Sequence, residues 1–323
     1  MSAFWQLPRE RLVAQPTPLH RAERLSAEVG RDIWLKRDDL TGRGLGGNKL
    51  RGLEYLLGDA VARGCDCVVT GGGPQSNWAM LAATAARTRG LDAHLAFYGS
   101  PPVEDRGNLL LDRLVGASIE FTGDPARESV DDAVARRAAT LEARGRRPYV
   151  IPRGGATEVG ALGYVRGGVE LFGQLDAVSV AADAVWLATG SCATQAGLAF
   201  ARAWLDAPAA IRGVTVSRAQ EECVQRVATL TAEMGELTGL PGQVAASEVD
   251  VRKGYEGPGY GLASPEGERA AALVARLEGV FLDPVFGAKA MAALLDDTRA
   301  AGPAVFLVSG GAPTLFAGLG AQL

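Results

Sequence analysis

The chain is poor in cysteine, in lysine and in long apolar runs. Its four cysteines, Cys65, Cys67, Cys192 and Cys223, are spread over 323 residues, too few and too scattered for a disulfide framework. The Cys-Asp-Cys of 65–67 reads as part of a strand, whose side chains alternate across it, rather than as a metal clip. No run approaches the ~18 apolar residues of a spanning helix, so no membrane partner is expected. The opening MSAFWQLPRERLVAQPTPLH has no continuous apolar segment, so no secretory signal is expected and a cytoplasmic location is. An excess of one charge is also missing. The formal net charge is −4, which gives no electrostatic reason for nucleic acid or an anionic membrane surface as partner. Of 33 basic residues only Lys36, Lys49, Lys253 and Lys289 are lysine. In so arginine-rich a chain, a lysine beside glycines points to amine chemistry that a guanidinium cannot perform.

What is present is apolar content, 47% of the residues, enough for one large core or two smaller ones, and the length favours two domains. Strand-like runs alternate with helical ones: DIWLKRD, CDCVVTG, DAHLAFYG, SIEFTG, RPYVIPRGG, AVWLATG, IRGVTVS and AVFLVSGG are the strands. Between them fall amphipathic helices such as NKLRGLEYLLGDAVARG and SNWAMLAATAARTRG, with others near 157–174, 194–205, 219–235, 264–278 and 287–301. Short, nearly continuous apolar strands alternating with helices argue an α/β fold with open, twisted, mostly parallel sheets flanked by helices on both faces. Glycine-rich loops at 42–47, 71–73, 190–197 and 310–311 follow strands or precede helices. In such sheets ligands gather outside the carboxyl ends of the strands, where these loops lie.

The stretch GRGLGGNKLR, residues 42–51, is the one to test for phosphate binding. Gly42, Gly44 and Gly47 match G-x-G-x-x-G between a strand and a helix. A dinucleotide site also needs an acid about 20 residues on, at the end of the next strand; Asp59 falls within the helix and Asp66 at the strand's start. A triphosphate loop needs Gly-Lys-Ser/Thr, but Asn48 separates Gly47 from Lys49 and Leu50 follows. That leaves Lys49 near a helix N-terminus, where the positive end of the dipole disfavours an ammonium and lowers its pKa. Such a lysine is a Schiff-base nucleophile.

Three further segments supply what such a lysine would serve. TGSCATQAG, residues 189–197, is a strand–loop–helix whose backbone N–H groups can hold a monophosphate at the helix N-terminus. GGGPQSNW, residues 71–78, presents Ser76 and Asn77 at the start of another helix, suited to a substrate carboxylate. VSGG, residues 308–311, ends the last strand with Ser309. A lysine, a phosphate cup, a carboxylate cup and a buried hydroxyl are the parts of a pyridoxal phosphate site.

Here the sequence resembles the fold-type II pyridoxal-phosphate enzymes, a two-domain fold of the tryptophan synthase β type. Within them it is similar to the D-cysteine desulfhydrase and 1-aminocyclopropane-1-carboxylate deaminase branch. The matching stretches, in the family's order, are LKRDDLTGRGLGGNKLR, GGGPQSNW, LATGSCATQAGL, GPGYG, EGVFLDPVFGAKAM and SGGAPTLFA. The resemblance implies pyridoxal 5'-phosphate as cofactor, held by Lys49 as a Schiff base, with Asn77 at its ring oxygen and Ser309 by its pyridine nitrogen. Thr189, Gly190, Ser191, Cys192, Ala193 and Thr194 would hold its phosphate. Gln75, Ser76 and Asn77 would hold the substrate carboxylate, and Tyr260 would face the substrate. Lys49, Ser76 and Tyr260 are the catalytic candidates. A neutral hydroxyl at Ser309 does not force the ring nitrogen to stay protonated, which favours loss of a β-group over transamination.

The chain departs from that pattern at four places. Phe286 stands where a tyrosine is usual, Gly287 where an acid or threonine is, Trp78 where a histidine or glutamine is, and Cys192–Ala193 where two glycines are. Phe286 and Trp78 are expected to form an apolar substrate wall and to alter specificity. The activity implied is β-elimination, deamination with C–S cleavage, on a small amino acid. The alternatives are a β-replacement synthase, an aminocyclopropane-carboxylate deaminase, and a non-catalytic binder of the cofactor or of an amino acid. Residues 1–49 with 159–323 are expected to form a large cofactor-binding domain, and 50–158 a small one carrying the carboxylate loop. A homodimer is the family expectation. His20 and His94 are expected to be structural or surface residues, and Asp38 and Asp39 to cap or to pair with Arg51 or Arg37.

Overall fold

The strands sort into two sheets, one of six and one of four. The computed structural model describes residues 3–298 and 302–317. In spatial order the larger sheet is β1 (Leu19–Arg21), β2 (Ile33–Arg37), β10 (Ala304–Val308), β7 (Ala184–Thr189), β8 (Ala210–Thr215) and β9 (Asp250–Arg252). The smaller is β5 (Ser118–Phe121), β4 (Asp92–Phe97), β3 (Cys67–Gly72) and β6 (Pro148–Val150). All pairs are parallel except β1 with β2, where Leu19 faces Lys36. The chain leaves the larger sheet after β2, builds the smaller one, and returns through β7. Its late strand β10 then lies between β2 and β7.

Helices cover both faces of each sheet because the period-2 alternation of the strands feeds two cores. On β7 and β10, Val185, Leu187, Val305 and Leu307 face the core under α6 (Glu158–Ala177), α7 (Ala193–Leu205) and α8 (Gln220–Thr238). Ala184, Trp186, Ala304 and Phe306 face the opposite core under α9 (Pro265–Glu278) and α10 (Gly287–Leu295). In the smaller sheet Val68, Leu95 and Phe97 pack under α2 (Lys49–Ala62) and α3 (Asn77–Arg87), while Cys67, Val69 and Ala96 pack under α5 (Ser129–Glu142).

Three elements were not anticipated: β1, β9 and α1 (Glu23–Val29). The two strands are three residues each, too short to show periodicity. The helix expected over 287–301 stops at Leu295, and 299–301 lie outside the described residues.

A buried polar network fixes where α2 begins. Arg51 donates through Nε to Asp38 Oδ2 (2.7 Å) and through Nη2 to Asp38 Oδ1 and Glu170 Oε1 (2.8 Å each). The Tyr164 hydroxyl also donates to Asp38, and the Lys36 ammonium joins through Glu170 and the Thr17 carbonyl. Burial alone raises the pKa of a carboxyl; the Arg51 guanidinium outweighs it and holds Asp38 below its ordinary value. Asp39 pairs with Arg37 through two bonds of 2.9 and 2.7 Å. Both aspartates therefore have the structural partners the sequence offered.

Candidate active site

The glycine loop before α2 is folded too tightly for side chains. Gly46 has φ 78°, and a Cβ there would lie 1.7 Å from the Asp39 carbonyl oxygen. The Thr41 hydroxyl accepts the Gly47 N–H (2.7 Å) and donates to the Gly47 carbonyl (3.1 Å). A Cβ on Gly310 would come 2.8 Å from Gly47 Cα, so the loop lies directly against the turn after β10. Asn48 N–H donates across that contact to the Ser309 carbonyl (2.9 Å). Lys49 then opens α2 with its Nζ 3.4 Å from Ser191 Oγ. Burial lowers its pKa from 10.5 to about 8, in the direction the helix N-terminus also favours.

Ser191 belongs to the loop between β7 and α7. Cys192 caps α7 in a left-handed conformation (φ 76°), uncommon for a residue with a side chain. Its thiol is buried, and a hydrogen bond to Cys223 together with that burial pushes its pKa up, so it stays neutral. The loop is held from three sides. Asn48 Nδ2 donates to Thr194 Oγ1 (3.1 Å), Arg218 Nε donates to the Gly190 carbonyl (2.9 Å), and Ser191 packs on Gly154. The first N–H groups of α7, from Ala193 on, have no acceptor within the helix. Thr189 differs from the expectation in one respect: its hydroxyl donates to Gln195 Oε1 (2.7 Å), which fixes β7 to α7. Its side chain is committed to that bond.

Opposite, Ser76 caps α3, its hydroxyl accepting the Ala79 N–H (3.2 Å). The Gln75 side chain is tied at both ends to the start of α4 (Gly107–Leu114): it accepts from Asn108 N–H and donates to the Arg106 carbonyl, 2.9 Å each. Asn108 Nδ2 donates to Asn77 Oδ1 (2.6 Å) and to the Gln75 carbonyl (3.0 Å). With Oδ1 so held, Asn77 Nδ2 faces Gly311, where a Cβ would approach it to 2.6 Å. Asn108 orients the loop's amide, and no motif announced it.

Beside the loop between β7 and α7 stand Phe286 and Tyr260. Their rings meet edge-on, centroids 6.3 Å apart at 77°, and the Phe286 ring edge lies 3.3 Å from a Cβ placed on Gly190. Asp283, missed at the sequence level, fixes Phe286. Its buried carboxylate accepts N–H bonds from Val285 (3.1 Å), Phe286 (2.8 Å) and Gly287 (2.8 Å), and burial raises its pKa to about 6. The Asp-Pro of LDPVF was the available signal for such a turn. Lys289 Nζ donates to the Glu256 carbonyl (2.6 Å) and anchors the loop carrying Tyr260.

Trp78 requires a correction. It is 5% exposed and sits in the core of the smaller sheet, its Nε1 donating to Thr70 Oγ1 (2.9 Å) and its ring against Gly155, where a Cβ would lie 2.3 Å away. It shares no wall with Phe286, whose aromatic partner is Tyr260. Among the described residues no cluster of three or more His, Cys, Asp or Glu could hold a metal, and no helix is long and apolar enough to cross a membrane.

Residues 11–310 match the family described as "Pyridoxal-phosphate dependent enzyme". The chain is 40% identical over 324 residues to a D-cysteine desulfhydrase of Yersinia pestis (strain Pestoides F), covering 97% of this chain and 96% of that one. A crystal structure of an "ACC deaminase homologue" superposes with a TM-score of 0.90 at 35% identity, covering 97% of this chain and 95% of that one. A crystal structure of the T.th. threonine deaminase shares the fold at a TM-score of 0.68 and 20% identity, covering 91% and 92%. The residues fit pyridoxal 5'-phosphate, that family's cofactor. An amine of lowered pKa stands 3.4 Å from a loop that opens a helix, the arrangement that binds a phosphate. Beside it, the Gly47–Gly310 and Gly311–Asn77 contacts form a floor that any Cβ would fill.

Proposed function

Because the chain belongs to the pyridoxal-phosphate dependent enzyme family, we propose that it is a lyase removing a β-substituent from a small amino acid. It is D-cysteine desulfhydrase-like, with altered specificity. The observation that carries this is Lys49: a half-buried amine with its pKa lowered to about 8, placed between the phosphate loop and the turn after β10. When bound, the cofactor supplies a sink for the electron pair left on Cα. Lys49 Nζ takes the Cα proton, since an amine with a pKa near the operating pH is an efficient proton carrier. The Ser76 hydroxyl and the N–H groups of Asn77 and Trp78, at the start of α3, hold the carboxylate. Asn77 Nδ2, oriented by Asn108 and lying beside Gly311, would donate to the cofactor. Residues 190–194 would hold its phosphate, and the neutral Ser309 hydroxyl would serve its ring nitrogen. Tyr260 and Phe286 keep water from the reacting carbon, and the released aminoacrylate hydrolyses to a 2-oxo acid and ammonia.

Phe286 has no hydroxyl to assist ring opening, which disfavours an aminocyclopropane-carboxylate deaminase. A β-replacement synthase would use the same residues but would form little 2-oxo acid without an added nucleophile. We further read 1–49 with 159–323 as the cofactor-binding domain and 50–158 as the smaller one, which closes on substrate. The strands of the four-stranded sheet all fall within 50–158, which supports this division. A cytoplasmic homodimer rests on the resemblance, and sedimentation of the purified protein tests the oligomer. The test of function is a panel of D- and L-cysteine, β-chloroalanine and aminocyclopropane carboxylate. The protein is expected to carry a visible lysine-bound cofactor band and to release 2-oxo acid from a β-substituted alanine; Lys49→Ala loses both. A protein without the band, or a band that no amino acid perturbs, sinks the reading.

A further inference from the structure

Residues 253–263, which carry Tyr260, run between β9 and α9 without a helix or strand of their own. Gly254, Gly257, Gly259 and Gly261 all have φ between 63° and 154° there, and a backbone so rich in glycine loses much freedom when it is ordered. Within the segment, Gly254 N–H donates to Glu256 Oε2 (2.8 Å) and Leu262 N–H to the Gly259 carbonyl (3.4 Å). Its external tether is α10. Lys289, in the first turn of that helix, donates through Nζ to the Glu256 carbonyl (2.6 Å) and the Gly259 carbonyl (3.4 Å). Lys289 is fully buried, and an ammonium is costly to take out of water. Burial pulls its pKa down, while the charges of Asp283 and Glu256 act the other way. A methionine would fill the same space without that cost. What only the ammonium adds is a pair of charge-assisted bonds to one turn.

The second of those bonds bears directly on Tyr260. The Gly259 carbonyl and the Tyr260 N–H belong to one peptide plane, so fixing that oxygen fixes the direction in which Tyr260 leaves the backbone. The same helix end also places the neighbouring ring. Phe286 is the residue capping α10, and its N–H is held by Asp283 (2.8 Å). One turn of α10 therefore sets both rings, Phe286 through the cap and Tyr260 through Lys289, and they meet edge-on at 6.3 Å. We propose that Lys289 is a positioning residue for the reaction, its ammonium holding the 256–259 turn so that Tyr260 stands against Phe286 and toward the substrate. The inference rests on the lyase reading above and on its placement of Tyr260 at the substrate.

Two measurements on the holoenzyme test it. The first is a double-mutant cycle with β-chloroalanine as substrate. Lys289→Met removes the donors at nearly constant volume and should lower kcat/KM by about 10- to 100-fold, with the visible cofactor band kept. In a Tyr260→Ala background the same substitution should cost less than about threefold, because the residue it positions is gone. Lys289→Gln, which keeps a donor for one carbonyl, is the second variant should the first fail to fold. Its loss should be smaller in wild type and again under about threefold beside Tyr260→Ala. The second measurement is hydrogen exchange, which should quicken at 254–262 in either variant and stay unchanged at 71–78. A lysine that serves only the fold lowers both backgrounds alike, and such additivity, or exchange unchanged at 254–262, overturns the inference while the lyase reading stands. A Tyr260→Ala protein with unchanged kcat/KM overturns the placement of Tyr260 and the inference with it. A wild-type holoenzyme that turns over no β-substituted alanine overturns the lyase reading itself, and with it the inference.

Discussion

Asp112 offers the cleanest test of how burial sets charge in this fold. It lies in α4, wholly buried, and neither carboxyl oxygen has a hydrogen-bond partner. Burial raises its pKa from 3.8 to about 8, because ionising a carboxyl away from water and without a partner is costly. The folded protein therefore keeps Asp112 protonated at neutral pH. One turn earlier on the same helix face, Asn108 Oδ1 is also buried without a donor. The folded pKa is raised, so this stability is fully present below the unfolded pKa of 3.8 and lost as pH rises to about 8. Four pH units at ~1.4 kcal/mol each amount to about 4–6 kcal/mol. Asp112→Asn cannot ionise and escapes the loss. Near pH 4 variant and wild type should unfold within about 1 kcal/mol of each other. By pH 8–9 the variant should be the more stable by about 3–5 kcal/mol, within the span just derived. Urea unfolding of both proteins across pH 4–9 measures the difference. A flat difference, or an Asn variant less stable at pH 9, means that Asp112 is ionised and partnered, and the reasoning fails.

Three other outcomes follow from the same structure. Arg51→Met leaves Asp38 and Glu170 in the interior without their guanidinium, and should cost about 3–5 kcal/mol in urea unfolding; a loss under about 1 kcal/mol would show the network to be dispensable. In cofactor-stripped protein, the rate of acylation of Lys49 against pH should have its midpoint at about 8, and a midpoint near the ordinary 10.5 contradicts its burial. Trp78→Phe should lower stability by about 1–3 kcal/mol through the lost bond to Thr70. It should leave the order of preference among β-substituted alanines unchanged; a reordering would return Trp78 to the substrate wall.

Most of the architecture was legible because the strands alternate so regularly. Val185, Leu187 and Trp186 sort onto opposite faces by parity alone. What the sequence hid were elements without a period, β1 and β9, and residues whose role is to hold another. Asn108 bears no motif and acts by holding Asn77 from another helix, while Asp283, though inside LDPVF, works through the backbone N–H groups that follow it rather than through a contact its residue type announces. Lysine scarcity singled out Lys49 less sharply than it promised. Lys36 and Lys289 are also buried, one in the Glu170 network and the other under the Tyr260 loop. What separates them is a partner: theirs are carboxylate, amide or carbonyl oxygens, whereas Lys49 faces a serine hydroxyl at 3.4 Å.

Trp78 could have been placed correctly from helix geometry. An α-helix turns about 100° per residue, so Trp78 stands about 200° around α3 from the capping position of Ser76 and points to the opposite side. If Ser76 faces the substrate, Trp78 faces the core, and its indole N–H must find an acceptor there; Thr70 provides it. The substitution pair read as one wall is thus two separate events. Trp78 adapts the smaller sheet's core to the Gly154–Gly155 turn, and Gly154 in turn supports Ser191. Phe286 stands apart from it, edge-on to Tyr260 and against Gly190 in the loop that opens α7.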